Sequence, residues 1–288
     1  MKKLLALLTV FTFTFALAAC DLEDDTPTVN LDYVNWAEGI AMNYLAEAII
    51  TDEFGYEVNS TEGDPGVVFT SIAQGDADFF VDAWLPLTHG SYMDEYGDDI
   101  LDLGYNFTEA PIGLVVPAYV DIDSIDELND HADQFNNEIV GIDPGAGIMS
   151  TTETAIEEYD LDLTLNASSG PVMVQELANA IEDEEWIVVT GWEPHYKFAD
   201  FDLKFLEDPE GVYGEPDNIH TVARDDVRDD LPLVAEFFEN FYLESEELGG
   251  LMGLINEHQD EMDIVDIARM WMDDNEDVWQ AWLPEDLD

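Results

Sequence analysis

Basic residues are almost absent from this chain. Its 288 residues include 7 Lys and Arg against 68 Asp and Glu, which gives a formal net charge of −61. Two of the seven, Lys2 and Lys3, lie in the first three residues. Because nucleic-acid and anionic-lipid surfaces are held by clusters of basic side chains, this composition excludes both as electrostatic partners.

The acidic residues are spread along the whole chain after Cys20 rather than collected in one tail. Such a chain repels itself in dilute buffer, whereas at about 1 M salt the Debye length falls to about 3 Å and the repulsion is largely screened. The composition therefore predicts a halophilic protein that loses structure when salt is removed.

Cysteine is nearly absent too, since Cys20 is the only one, so no disulfide can form within the chain. Cys20 ends the segment MKKLLALLTVFTFTFALAAC, which has the layout of a secretory signal. Its last four residues, LAAC, resemble a bacterial lipobox, in which the cysteine is lipidated. We expect a signal peptide over 1–20, lipidation at Cys20, an acidic tether over 21–28 and a lipid-anchored extracytoplasmic protein, on the periplasmic side or the cell surface. The alternative is a plain signal peptide with a chance cysteine.

Motifs of enzymes are also missing. The chain has no GxSxG and no HExxH, and DIDSIDELND lacks the glycine and final glutamate of a calcium-binding loop. A periplasmic hydrolase would need a nucleophile beside a base, and nothing in the sequence supplies that pattern. We therefore expect a binding protein rather than an enzyme, with no cofactor and no bound metal.

The order of predicted elements indicates an α/β fold. Strands and helices alternate from VNLDYVNW to ADFFVDAW as βαβαβ, the unit of a parallel sheet with helices on its faces. After APIGLVVPAYV the pattern restarts, and NIHTVAR (218–224) is expected to return to the first sheet. We predict two lobes, each a mainly parallel sheet flanked by helices, with 29–116 and 217–288 in lobe 1 and 117–216 in lobe 2.

Three of the seven tryptophans follow the carboxyl ends of predicted strands. Trp36 ends VNW, Trp84 ends VDAW and Trp192 ends VVTGW, and this is the edge at which open α/β sheets bind ligands. The other tryptophans are expected in the core: Trp271 and Trp282 at helical spacing, Trp279 beside them, and Trp186 as packing at the start of a strand.

An aromatic box suits a quaternary ammonium, which has no N–H to donate but is attracted to aromatic faces. A zwitterion would also need an anion site. In GIDPGAGIM a glycine-rich turn leads into a helix, so the backbone N–H groups near Gly147 and Ile148 would face a carboxylate. His89, five residues after Trp84, is a candidate side-chain donor, although taken alone its position is more typical of a surface histidine.

The motifs VNWAEGIAM, GDADFFVDAWLPLTH, IGLVVP, GIDPGAGIM, VVTGWEPH and LKFLEDP occur in that order across 32–208. In these motifs the chain resembles the glycine betaine-binding proteins of osmoprotectant ABC transporters, which have the type II periplasmic-binding-protein fold. The resemblance implies a cage of Trp36, Trp84 and Trp192, and carboxylate contacts from the backbone of Gly147 and Ile148 and the side chain of His89.

The resemblance also implies partners: glycine betaine or a related betaine, and a membrane permease with a cytoplasmic ATPase, for osmoprotection. Some relatives carry Trp where this chain has Tyr196, a difference expected to affect the rim more than the cage. Two alternatives stay open. The same fold would serve choline, carnitine or proline betaine, and a lipoprotein that stacks sugars on aromatic faces is the other possibility.

Overall fold

The computed structural model describes residues 26–287, so the predicted signal peptide, Cys20 and most of the predicted tether lie outside the described residues. Two five-stranded sheets form the framework. The ten strands are β1 (Thr28–Tyr33), β2 (Glu57–Glu62), β3 (Phe79–Leu85), β4 (Ile100–Ala110), β5 (Ile112–Pro117), β6 (Glu138–Val140), β7 (Thr164–Asn166), β8 (Val189–Trp192), β9 (Leu203–Phe205) and β10 (Asp217–Arg224).

The first sheet has the order β2-β1-β3-β10-β4 and the second the order β7-β6-β8-β5-β9. In the first, β1 runs parallel to β2 and β3, while β10 is antiparallel to β3 and β4. In the second, β6 runs parallel to β7 and β8, while β5 is antiparallel to β8 and β9. The α/β fold is confirmed, although each sheet is evenly mixed rather than mainly parallel because β10 and β5 run against their neighbours.

Helices connect and cover the strands. They are α1 (Ala37–Ile49), α2 (Pro65–Gln74), α3 (Gly90–Tyr96), α4 (Gly147–Glu158), α5 (Gly170–Glu182), α6 (Lys197–Asp200), α7 (Val227–Asp230), α8 (Pro232–Asn240), α9 (Ser245–His258), α10 (Ile264–Asp274) and α11 (Glu276–Trp279), with a π-helical turn (Ile50–Phe54) and 3-10 turns (Ile125–Phe135, Gln280–Trp282). Within the described residues no helix is both long and apolar enough to cross a membrane.

The C-terminal helices complete the core of the first sheet. α1 packs against α9 and α10, and Trp271, Trp279 and Trp282 are buried there as the sequence predicts. The Trp279 indole N–H donates to the Met272 carbonyl at 2.9 Å, so this tryptophan is satisfied without a ligand. Trp186 is half-buried and packs on Phe135, which shortly precedes strand β6 of the second sheet.

The chain passes between the sheets twice. β4 ends at Ala110 and β5 begins at Ile112, so Pro111 is the only residue between a strand of the first sheet and a strand of the second. The return lies between β9 and β10. The boundary predicted at residue 116 therefore runs through β5 of the second sheet, and the division into two lobes stays a prediction.

Candidate functional site

A cavity of about 280 Å³ lies where residues of the two sheets meet. All six binding residues expected from the sequence line it. The full lining is Trp36, Glu38, Trp84, Thr88, His89, Ile112, Ile142, Ala146, Gly147, Ile148 and Trp192. The walls are thus mainly apolar, with a few polar groups, as small-molecule sites usually are.

The three tryptophans reach the cavity because each stands where a strand ends. Trp36 precedes the first residue of α1, Trp84 is the penultimate residue of β3, and Trp192 is the last residue of β8. Each is at most 4% exposed. The indole N–H of Trp36 donates to Asp143 at 3.2 Å, and that of Trp84 donates to Asp82 at 2.8 Å, so both rings are fixed in orientation.

His89 is a buried neutral donor. The Trp84 backbone N–H donates to His89 Nδ1 at 2.9 Å, so the proton of the neutral ring sits on Nε2. Burial lowers the pKa of His89 to about 3, which keeps the ring neutral at physiological pH. Its Nε2 is buried and has no hydrogen-bond partner within residues 26–287. A ring that stacks on Trp36, with centroids 5.8 Å apart, thus offers one N–H to the cavity.

The amino-terminal end of α4 supplies backbone donors. Gly147 and Ile148 are its first two residues, so their N–H groups have no acceptor one turn earlier within the helix. Gly145, at φ +96°, turns the chain into this helix. A Cβ on Gly147 would lie 1.9 Å from the Thr88 carbonyl oxygen, so only glycine permits the second sheet's helix to approach the first sheet's turn this closely.

Two polar residues of the lining were not singled out from the sequence. Glu38, in the first turn of α1, is 1% exposed and its Oε2 has no partner among the described side chains and backbone. The Thr88 hydroxyl is buried and likewise unpaired there. A charged residue inside the apolar stretch AEGIAM was the available signal for Glu38, but one acid among 68 does not stand out.

Lys197 lies behind the cavity and was also missed. It is fully buried, its Nζ donates to the Trp192 carbonyl at 3.1 Å, and it stands 4.1 Å from the centroid of the Trp192 ring. Burial lowers the pKa of Lys197 to about 7, and the Glu38 carboxylate opposes that shift. Lys197 does not itself line the cavity.

A second cavity of about 560 Å³ shares Trp36 and Trp192 with the first, and Tyr196 lines only this second cavity. Tyr196, at the position where some relatives carry tryptophan, therefore lines the second cavity and not the first. Over residues 26–287 there is no group of three His, Cys, Asp or Glu side chains placed to hold a metal ion.

Comparison with known proteins identifies a family that this chain matches. The family described as the substrate binding domain of ABC-type glycine betaine transport system matches residues 27–274. A glycine betaine/carnitine transport binding protein of Listeria monocytogenes serotype 1/2a (strain 10403S) is 39% identical over 179 residues, covering 61% of this chain and 57% of that protein. The match thus spans little more than half the length of that curated relative.

Two solved structures have the same fold over most of the chain. Lactococcal OpuAC in its closed-liganded conformation with glycine betaine is 33% identical, with a TM-score of 0.83, and covers 90% of this chain and 100% of that one. An ABC-transporter choline binding protein in complex with choline is 26% identical, with a TM-score of 0.82, and covers 88% of this chain and 91% of that one. Two different quaternary ammonium compounds are thus bound by proteins of this shape.

Proposed function

Because the chain belongs to the family of substrate-binding domains of ABC-type glycine betaine transport systems, we propose that it captures glycine betaine and delivers it to a permease with a cytoplasmic ATPase. The observation that carries this proposal is that one cavity is lined both by three tryptophans and by neutral N–H donors. In the proposal the tryptophans bind one end of the ligand and the donors bind the other, and we call the two groups the tryptophan end and the donor end. A ligand with a quaternary ammonium at one end and a carboxylate at the other suits both groups.

The tryptophan end suits a group that cannot donate hydrogen bonds. A trimethylammonium offers only polarised methyl groups, which are attracted to aromatic faces by roughly 0.5 to 2 kcal/mol each. Trp36, Trp84 and Trp192 are held in the same small space, so their faces act on one cation together. In this proposal they form the cage. A neutral group of the same size would gain only the hydrophobic free energy of burial and no attraction between a cation and the aromatic faces.

The donor end suits a carboxylate. Backbone N–H groups at a helix amino terminus attract anions through both hydrogen bonds and the helix dipole. Gly147 and Ile148 provide that terminus, and the Nε2–H of His89 adds a third donor. None of these groups carries a charge, so the ligand's carboxylate is bound without a counter-cation.

Binding draws residues from both sheets, which favours closure of two lobes on the ligand. The Trp36 indole bonds to Asp143, and the Tyr92 hydroxyl donates to the Gly145 carbonyl at 2.8 Å, so two direct contacts already cross from the first sheet's elements to the second's. A ligand held by both sides stabilises the closed arrangement selectively, as a hinge mechanism requires.

We also propose that the protein works outside the cytoplasmic membrane, anchored by lipid at Cys20. The support is the sequence MKKLLALLTVFTFTFALAAC, which precedes the described residues. Cys20→Ser should move the mature protein from the membrane fraction to the soluble extracytoplasmic fraction. Recovery of the variant in the membrane fraction at the wild-type level would contradict the anchor.

The test of the ligand is calorimetric titration in high salt with glycine betaine, proline betaine, carnitine and choline. Choline lacks the carboxylate, so the donor end predicts that it binds more weakly than glycine betaine by about tenfold or more. The existence of a choline-binding relative makes choline the second candidate. If choline bound more tightly than glycine betaine, choline would be the assigned ligand. If tryptophan fluorescence responded to sugars and not to betaines, the betaine proposal would be wrong.

A further inference from the structure

Two of the three cage indoles are tied to carboxylates through their N–H groups. Asp143 accepts from Trp36 across the two sheets at 3.2 Å, and Asp82 accepts from Trp84 within β3 at 2.8 Å. Asp82 is completely buried, and its second oxygen has no partner among residues 26–287. A carboxyl group so placed meets the edge of a ring whose face borders the cavity.

The third indole also faces a carboxylate. The Trp192 N–H lies close enough to Glu38 to lower the pKa of that acid, although the two atoms do not form an aligned hydrogen bond. Glu38 itself lines the cavity, and its unpaired Oε2 is buried there. The described part of the chain thus places a carboxylate on the N–H of Trp36 and another on that of Trp84, while Glu38 lines the same cavity as Trp192 without a hydrogen bond to it.

The buried pair of acids is an electrostatic cost unless a cation offsets it. Asp82 and Glu38 repel each other, and Lys197 is the charged group of opposite sign that faces Glu38 from the second sheet. Lys197 donates to the Trp192 carbonyl rather than to either acid, so it compensates only part of the charge. A second cation in the cavity would complete the compensation.

We propose that Glu38, Asp82 and Asp143 form an acidic shell around the cage, which makes the site select a cation over a neutral group of the same shape. The inference rests on the proposed function, since the cation is the ammonium of the betaine. Glu38 acts directly across the cavity. Asp82 and Asp143 are positioning residues that act through Trp84 and Trp36, because a carboxylate accepting an indole N–H makes the ring face more negative.

The shell differs from the acidic surface in its response to salt. High salt screens exposed charges, whereas buried charges are screened much less. If the site still prefers a cation in high salt, that preference comes from the acids around the cage and not from the surface charge of the chain. The titrations that test the shell therefore require high salt.

The first test compares glycine betaine with 3,3-dimethylbutanoate, in which carbon replaces the ammonium nitrogen. The two compounds have the same shape and the same carboxylate, so their affinity ratio isolates the cation. The wild-type protein should favour glycine betaine by about a hundredfold, which corresponds to about 2.7 kcal/mol. Comparable affinities for the two compounds would overturn the shell while leaving betaine binding itself intact.

The second test neutralises the shell without changing its shape. Glu38→Gln should weaken glycine betaine about tenfold and leave 3,3-dimethylbutanoate within about twofold, because only the cation loses its counter-charge. Asp82→Asn and Asp143→Asn should reduce the ratio by smaller factors, since they act through an indole. Equal weakening of both ligands would assign these acids a purely structural role. The control is Glu236→Gln, an exposed acid on α8, which should leave the ratio unchanged.

The third test uses the unmodified protein and needs no variant to fold. Burial raises the pKa of Glu38 to about 7, and burial also raises the pKa of Asp82 well above its ordinary value, with Glu38 as a further cause. Lys197, whose pKa burial lowers to about 7, gains charge over the same range. The anionic form of an acid exists above its pKa and is lost as the pH falls through it.

Lowering the pH from about 8 to about 6 protonates Glu38 and Lys197, so the cluster becomes less negative and glycine betaine should bind several-fold more weakly. The affinity of 3,3-dimethylbutanoate should not fall, because burial lowers the pKa of His89 to about 3 and the donor therefore stays neutral. Parallel pH profiles for the two ligands would overturn the proposal. Failure of the wild-type protein to bind any betaine would instead overturn the proposed function, and the shell with it.

Discussion

In the proposed site the tryptophan end and the donor end recognise charge in opposite ways. The tryptophan end uses side chains from three separate strand ends, with carboxylates behind them, whereas the donor end uses the backbone of one helix terminus and one neutral histidine. Side-chain recognition can be removed by truncation, but backbone donors can only be blocked. Substitutions at the two ends should therefore differ in size and in the ligands that they affect.

The largest effect is expected at the tryptophan end. Trp84→Ala removes one cage face together with the apolar surface that it buries against the ligand, and glycine betaine should bind about a hundredfold more weakly. Titration calorimetry measures this, with Trp186→Ala as a tryptophan control that packs on Phe135 away from the cavity. If the affinity of Trp84→Ala for glycine betaine stayed within about twofold of the wild-type value, Trp84 would not be part of a cage.

Blocking the donor end should cost somewhat less. In Gly147→Ala the new Cβ meets the Thr88 carbonyl, so α4 must move away from the first sheet and both backbone donors move with it. We expect about thirtyfold weaker binding of glycine betaine and a smaller loss for choline. The matched control is Gly249→Ala on α9, where nothing lies within 4 Å of the added carbon. Unchanged affinity in Gly147→Ala would mean that closure does not bring these residues together.

Removal of the histidine donor is expected to be milder. His89→Ala leaves the backbone donors in place, so glycine betaine should weaken by about tenfold or less. Choline has no carboxylate to lose, and its affinity should change less than that of glycine betaine. His131→Ala, on the 3-10 turn outside the cavity, serves as the control. An equal loss for both ligands would indicate that His89 acts through its stacking on Trp36 alone.

Salt should affect the two ends least. Both are buried, so betaine affinity is expected to stay within about threefold between moderate and high salt. The melting temperature should behave differently, because a chain of net charge −61 loses screening when salt is dialysed away. Differential scanning calorimetry over a salt series measures this. A melting temperature independent of salt would contradict the halophilic interpretation.

The sequence predicted the residues of the cavity better than the groups around it. Trp36, Trp84 and Trp192 follow apolar strands, and Gly147 and Ile148 follow a glycine-rich turn, so local patterns alone place them at sheet edges. β4 was not predicted, because its apolar residues are interrupted by Asp102, Gly104 and Glu109. Glu38, Asp143 and Lys197 act through contacts between distant segments, and no local pattern reports such contacts.

A crystal structure with glycine betaine bound tests the central claim most directly. The account predicts the ammonium within about 6 Å of the Trp36, Trp84 and Trp192 ring centroids. It predicts carboxylate oxygens about 2.7 to 3.2 Å from the N–H nitrogens of Gly147 and Ile148 and from His89 Nε2. A ligand bound in the reverse orientation, or outside this cavity, would contradict it.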